Sequence, residues 1–137
     1  MFVIERLFAA VAVFVAAHFA MGFINSSAGG AGGNLLFPYP TDAASRWVFG
    51  SLEGMLALLV PVMIGLAGIA VLTFFLAFLA SVGLWVPADV WRPLILVGAA
   101  CSIALLVLHP TVYAALPLAL NAGLAWVAWT SAWTPAA

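Results

Sequence analysis

Charge is almost missing from this 137-residue chain: Asp, Glu, Lys and Arg make up only 5% of its residues, and there is no lysine at all. A soluble domain carries roughly a quarter of its residues as charged side chains, so a water-facing globular surface is excluded. Three arginines and four acids give a net charge of −1, which leaves no basic patch to neutralise phosphates. Nucleic-acid partners and intrinsic disorder are therefore excluded as well.

Reactive side chains are equally scarce. The single cysteine, Cys101, cannot form an internal disulfide and lies in an apolar run, which is typical of a small buried hydrophobic residue. The two histidines and four acids show no metal-ligand spacing, no Ser-His-Asp set and no paired carboxylates, and the chain has no phosphate-binding loop. We therefore expect neither an enzyme acting alone nor a metal cluster.

Hydrophobic residues are abundant, at 68% of the chain, and the mean hydropathy is +1.31. A helix of about 20 apolar residues crosses the roughly 30 Å hydrocarbon core of a bilayer. Runs of this kind predict an all-α fold, a four-helix transmembrane bundle that forms one membrane domain. The first run also resembles a secretory signal sequence, and it counts as a span if it is retained. The predicted spans are residues 2–24, 51–83, 90–109 and 111–133.

The predicted outer loop, about residues 25–50, has two halves of different composition. The first half is rich in Gly and Ser and is flexible by composition. The second half, residues 35–40, is apolar and aromatic, which suggests a segment that rests on the membrane surface or on a partner. Arg6 and Arg92 fall on one side of the predicted membrane and Arg46 on the other, so the positive-inside rule favours cytoplasmic termini.

Small residues recur at four-residue spacing on all four predicted helices. Such stripes let helix backbones approach closely in a membrane, where apolar side chains gain nothing from leaving lipid. They predict packing faces, either for ordinary contacts within the bundle or, as the alternative, for a dedicated interface with a partner. The stripes are Ala9/Val13/Ala17 and Ala10/Phe14/His18/Gly22 on the first helix, Ala57/Pro61/Gly65 on the second, Gly98/Ser102 on the third and Ala115/Ala119/Gly123 on the fourth.

Two histidines in the spans are candidate cofactor-binding residues, because polar groups are costly in hydrocarbon. His18 lies about 9 Å before the outer end of the first span and could bind haem iron, a (bacterio)chlorophyll magnesium or a quinone carbonyl. His109 ends the third span on the same side, about 9 Å away in depth, which is awkward for a haem held by both rings. The alternative for each residue is a histidine without a cofactor. At His18 the imidazole would then bond to a backbone carbonyl, and at His109 the ring would be stabilised by the dipole at the C-terminus of its helix.

Glu53 and Asn121 are the other polar side chains in the spans. Glu53 opens the second span, either as an acid in headgroup water or as a buried proton carrier. Asn121, one turn beyond Pro117, is expected to bond to a neighbouring helix. Together they suggest a small transporter or channel, which four helices form only as an oligomer. No helix is clearly broken at the midplane, as discontinuous transport sites require.

The chain resembles the DoxX-like group of small bacterial membrane proteins in three features. These are the four predicted helices with short loops, Arg6 near the start of the first helix, and the Gly-Ser-Leu-Glu pattern of residues 50–53. The resemblance implies a multi-pass protein of the bacterial inner membrane and a link to quinone-coupled electron transport. The group's Gly-x-x-Lys near the end of helix one is missing, since residues 20–25 contain no lysine.

The leading functional interpretation is a non-catalytic accessory subunit that helps assemble or seal a larger bioenergetic membrane complex, respiratory or photosynthetic. It follows from the lack of soluble mass and catalytic groups, together with small-residue stripes and an aromatic loop suited to docking. The expected partners are membrane lipids and other integral membrane subunits. The alternative is a cofactor-binding module in which His18, with or without His109, holds haem, a chlorophyll or a quinone.

Overall fold

In the part of the chain that the structure describes, the apolar runs form four α-helices. The computed structural model describes residues 2–30, 32–39, 53–109 and 111–130, with the side chains of residues 2 and 53–59 left out. Within these ranges the chain forms helices and turns but no strand, so the all-α prediction is confirmed there. The helices are α1 (Phe2–Ser27), α2 (Glu53–Val82), α3 (Trp91–Leu108) and α4 (Ala115–Thr130), with a 3-10 turn (Ala88–Val90) before α3.

Three helical segments are long and apolar enough to cross a membrane: Val3–Ser27, Val60–Val82 and Ala88–Leu108. The helix α4 has 16 residues, about 24 Å of length, which is shorter than the roughly 30 Å hydrocarbon core. The rest of the predicted fourth span, residues 131–133, lies outside the described part. This architecture is compatible with a multi-pass membrane protein.

Serine hydroxyls extend α1 beyond its predicted end. The helix continues to Ser27 instead of residue 24. The hydroxyls of Ser26 and Ser27 both donate to the backbone carbonyl of Phe23, at 3.0 and 2.7 Å. Because each hydroxyl hydrogen is paired with the helix's own backbone, these two polar residues join the helix without an unpaired donor.

A turn delays the start of α4 from residue 111 to Ala115. The turn is closed by a hydrogen bond from the N–H of Ala114 to the carbonyl of Thr111, at 3.0 Å. Pro117 therefore falls in the first helical turn, where a missing N–H costs no helix bond. The short connection makes α3 and α4 antiparallel neighbours, as predicted.

The bundle has two distinct ends. The end of the bundle at which α1 and α3 finish is called the loop end. The opposite end, at which α3 begins, is called the Trp91 end. At the Trp91 end, α2 stops at Gly83, whose φ of +75° favours glycine. The N–H of Leu84 bonds to the carbonyl of Leu79 at 2.9 Å and that of Gly83 to Ala80 at 3.2 Å, which caps the helix.

The helices pack mainly in chain order, α1 on α2, α2 on α3 and α3 on α4, while α1 and α4 touch less. Alanines dominate the main core, so backbones approach closely, as membrane helices require. Trp91 is its largest member. The buried residues of this core are Ala9, Val13, Ala16, Ala20, Ala70, Phe74, Ala77, Ala80, Trp91, Ile95, Ala99, Leu124 and Ala128.

The small-residue stripes are only partly used inside the bundle. Gly98 and Ser102 are buried on α3, as predicted. The α4 stripe is exposed at all three of its positions, so it does not pack within the bundle, and of the two predicted alternatives only an interface with a partner stays a prediction for it. The helix instead buries the face that carries Asn121, because a polar side chain is costlier in lipid than a small apolar one. Pro61 and Gly65 on α2 are exposed as well.

Arg92 ties the start of α3 to the last described turn of α4. Its Nε donates to the carbonyl of Ala128 at 2.8 Å, and Nη2 donates to that of Trp129 at 3.3 Å. Carbonyls in the last turn of a helix lack partners within the helix, and a cation is favourable beside them. Arg92 therefore fixes the Trp91 end of α4, a role that sequence reasoning did not assign.

Candidate functional site

His18 fastens the loop that follows α1. The ring is half-buried, and its Nε2 lies 2.9 Å from the backbone carbonyl oxygen of Leu36. Because a carbonyl can only accept, Nε2 carries the hydrogen and donates it. The imidazole also packs against Phe37, with the ring centroids 5.1 Å apart. The carbonyl partner predicted as one alternative for His18 is thus present, and it belongs to the loop.

The apolar second half of the loop rests on α1. Pro38 and Tyr39 are buried, and Pro38 packs beside Gly22, where a Cβ would lie at the ordinary contact distance of 3.5 Å from Cδ of Pro38. The Tyr39 ring meets Phe23 edge-on at 5.2 Å. The predicted resting segment therefore has a surface of its own chain beneath it.

His109 joins three helices at the loop end. It follows the last residue of α3, and its backbone N–H bonds to the carbonyl of Leu105 at 2.9 Å. Its ring is buried, with Nε2 2.8 Å from Sδ of Met63 on α2 and its centroid 5.3 Å from that of Phe23 on α1. A thioether sulfur only accepts, so Nε2 is again the donor.

The two histidines occupy separate places. Phe23, which contacts His109, lies five residues beyond His18, or about 7.5 Å further along α1. Each Nε2 already has its own protein partner, Leu36 for His18 and Met63 for His109. The structure therefore does not bring the two rings together as a facing pair, in keeping with the depth difference expected from the sequence.

Asn121 bonds to a neighbouring helix, as expected. Its Nδ2 donates to Oγ of Ser102 on α3 at 3.0 Å and to the carbonyl of Pro117 at 2.7 Å. The side chain is fully buried, and Oδ1 has no hydrogen-bond partner. Hydrogen bonds between membrane helices contribute about 0.6 kcal/mol on average, so this contact orients α4 more than it stabilises it.

Glu53 begins α2, but its side chain lies outside the described part, as do residues 50–52 of the pattern that resembles the DoxX-like group.

Within the described ranges, no group of three or more His, Cys, Asp or Glu could hold a metal ion. No protein family, no curated protein and no solved structure matches this chain. The resemblance to the DoxX-like group therefore stays a prediction.

A groove of about 620 Å³ separates α1 from α4 near the Trp91 end. Small residues form much of its walls, and apart from Glu5 at one end the lining is apolar. It exists because Arg92 and Asn121 direct α4 toward α3 and leave little contact with α1. The lining residues are Ile4, Glu5, Phe8, Ala9, Ala12, Trp91, Ala119, Leu120, Gly123, Leu124 and Val127.

Sequence reasoning missed this groove and the partner of His109. The signal for the groove is the α4 stripe, for which the sequence leaves open whether it packs inside the bundle or against a partner. Met63 carried no signal, because it is one apolar residue within a long apolar run and lies 46 positions before His109.

Proposed function

We propose that this chain is a non-catalytic accessory subunit of a larger bioenergetic membrane complex, and that a transmembrane helix of that complex docks in the groove between α1 and α4. In this proposal the protein lies in a bacterial inner membrane with both termini in the cytoplasm. The observation that carries the proposal is an open, apolar groove lined by small residues within a membrane-compatible bundle.

The groove has the chemistry that membrane helices use to associate. Ala9 and Ala12 line it on α1, and Ala119 and Gly123 line it on α4. A Cβ built at Gly123 meets nothing within 4 Å, so the backbone there is open to a close neighbour. In lipid, helices associate through close van der Waals contact at such small residues. The groove therefore suits the ridge of another helix.

The described residues contain few groups that favour a different function. A haem, chlorophyll or quinone held by His18 would first displace the carbonyl of Leu36, and one held by His109 would displace the sulfur of Met63. Asn121 is enclosed between α3 and α4 and does not line the groove. Docking needs no such rearrangement, which is why we prefer the accessory role.

Filling the groove at Gly123 tests the proposal. We expect Gly123→Leu to reduce partner recovery by about five- to 150-fold, because overpacking a helix contact costs about 1–3 kcal/mol and 1.4 kcal/mol is tenfold in affinity. The measurement is quantitative mass spectrometry of subunits that co-purify from native membranes in mild detergent.

Gly65→Leu is the matched control. Gly65 is also an exposed helical glycine with nothing within 4 Å of a built Cβ, but it lies on α2, away from the groove. The control should retain the partners, and both variants should keep the same helical content by circular dichroism. Equal recovery by the two variants would contradict docking in the groove, and a wild-type protein that purifies alone as a monomer would contradict the accessory role.

A further inference from the structure

The loop segment Gly33–Tyr39 turns back along α1 instead of leaving the bundle. Pro38 lies beside Gly22, and the carbonyl of Leu36 accepts a hydrogen bond from His18. His18 is nine residues before Ser27, the last residue of α1, so Leu36 lies about 13.5 Å back from that helix end. The loop therefore reaches well down the side of the helix.

The end of α3 shows how deep this point lies in a bilayer. The apolar segment Ala88–Leu108 has 21 residues, about 32 Å, which matches the roughly 30 Å hydrocarbon core. Its end lies at the level of Phe23 on α1, because His109 contacts that ring. His18 is five residues below Phe23. With the hydrocarbon boundary placed at the end of α3, the carbonyl of Leu36 lies about 7.5 Å inside it.

The loop pairs much of its own backbone, as a segment at this depth must. The N–H of Gly33 donates to the carbonyl of Tyr39 at 2.7 Å, and the N–H of Asn34 donates to that of Phe37 at 3.0 Å. The side-chain Oδ1 of Asn34 accepts from the N–H groups of Leu36 and Phe37, both at 2.9 Å. Backbone outside a helix is tolerated at membrane depth only where protein buries it or a water-filled cavity adjoins it, and this loop buries Pro38 and Tyr39 against α1.

The tip of the loop presents two adjacent leucines outward. Leu35 is 64% exposed and Leu36 is 66% exposed, whereas Pro38 and Tyr39 on the inner side are buried. We infer that Gly33–Tyr39 is a re-entrant loop, held by His18, whose leucine tip contacts lipid acyl chains in the leaflet at the loop end. This inference does not depend on the groove or on any protein partner.

Spin labels test the depth directly. Nitroxides would be attached at Leu36→Cys and, separately, at Val112→Cys, both in a Cys101→Ala background, with the protein in phosphatidylcholine vesicles. Val112 is the control, because it is 87% exposed in the turn between α3 and α4 at the same end of the bundle. Oxygen concentrates among acyl chains, whereas a Ni(II) chelate stays in water.

We expect the ratio of oxygen to Ni(II) accessibility to be about tenfold or more higher at position 36 than at position 112, because a polar chelate is excluded from hydrocarbon. Equal access of the Ni(II) chelate to both labels would overturn the inference. Dipolar broadening at position 36, with access to neither reagent, would also overturn it, since a second copy of the chain would then cover the tip.

The hydrogen bond from His18 has its own test in the same assay. His18→Ala removes the donor, so the ratio at position 36 should fall toward that at position 112 as the loop moves out. His18→Gln retains an N–H donor and should restore the high ratio. A ratio that is unchanged in His18→Ala would overturn the role of His18 in holding the loop.

Discussion

Replacing Trp91 by alanine is expected to lower the free energy of unfolding by about 3–5 kcal/mol, the usual range for removing a buried large aromatic side chain. Trp91 is only 1% exposed and is the largest side chain of the main core. Its Nε1 donates to Oγ of Ser81 at 2.9 Å, and that hydroxyl donates to the carbonyl of Ala77 at 2.8 Å. The substitution therefore empties a large volume and leaves a buried hydroxyl without its donor.

The measurement is reversible unfolding in mixed micelles, followed by far-ultraviolet circular dichroism. Trp129→Ala is the control, because Trp129 lies on α4 at the same end of the bundle and is 74% exposed. It should change stability by less than about 0.5 kcal/mol. Equal losses in the two variants would mean that Trp91 is not the packing centre that the structure describes.

Adding one methyl group at Gly98 should have the second-largest effect. A Cβ at this position would lie 2.8 Å from Oγ1 of Thr73 and 2.9 Å from Cε1 of Phe74. Phe74 is fully buried, so either its ring or the α2 backbone must shift to admit the methyl group. We expect Gly98→Ala to destabilise the bundle by about 1–3 kcal/mol despite the better helix propensity of alanine.

Gly65→Ala provides a comparison of opposite sign. Nothing lies within 4 Å of a Cβ built at Gly65, so alanine adds helix propensity without a clash and should stabilise by up to about 1 kcal/mol. The same unfolding assay measures both variants. If Gly98→Ala proves as stable as Gly65→Ala, the close approach of α2 and α3 at Gly98 is wrong.

The helices could be predicted from the sequence because long apolar runs determine their existence and length. The differences arise at the ends, where single polar groups decide: the hydroxyls of Ser26 and Ser27 extend α1, and a turn at Thr111 delays α4. Such local bonds compete with helix ends within one turn, so composition alone does not determine the boundary.

The helix faces that pack against one another could be predicted less well than the helices themselves. Small residues occur on several sides of each helix in an alanine-rich chain, so the Gly98 stripe was identified as a packing face and so was the exposed α4 stripe. The choice for α4 depends on where Asn121 finds a partner, which in turn requires the position of Ser102 on another helix. That information is not local in the sequence.

In the candidate site, too, the polar residues could be identified from the sequence but their partners could not. The cost of polar groups in lipid directed attention to His18, His109 and Asn121, and each has a specific protein partner in the structure, while cofactor binding by the two histidines stays a prediction. The partners were not predictable: Met63 is 46 residues from His109, and the carbonyl of Leu36 is a backbone atom of a loop. Every residue has a backbone carbonyl, so the sequence does not indicate which one accepts a hydrogen bond from a given side chain.

The central claim is that acyl chains, and not water, surround these helices. Its most direct test is size-exclusion chromatography with light scattering before and after the amphiphile is removed. We expect a defined species in micelles or nanodiscs and only aggregate in plain buffer, because exposed apolar helix faces then have no lipid to cover them. A single, helical 14.2 kDa species that persists in plain buffer would contradict the account.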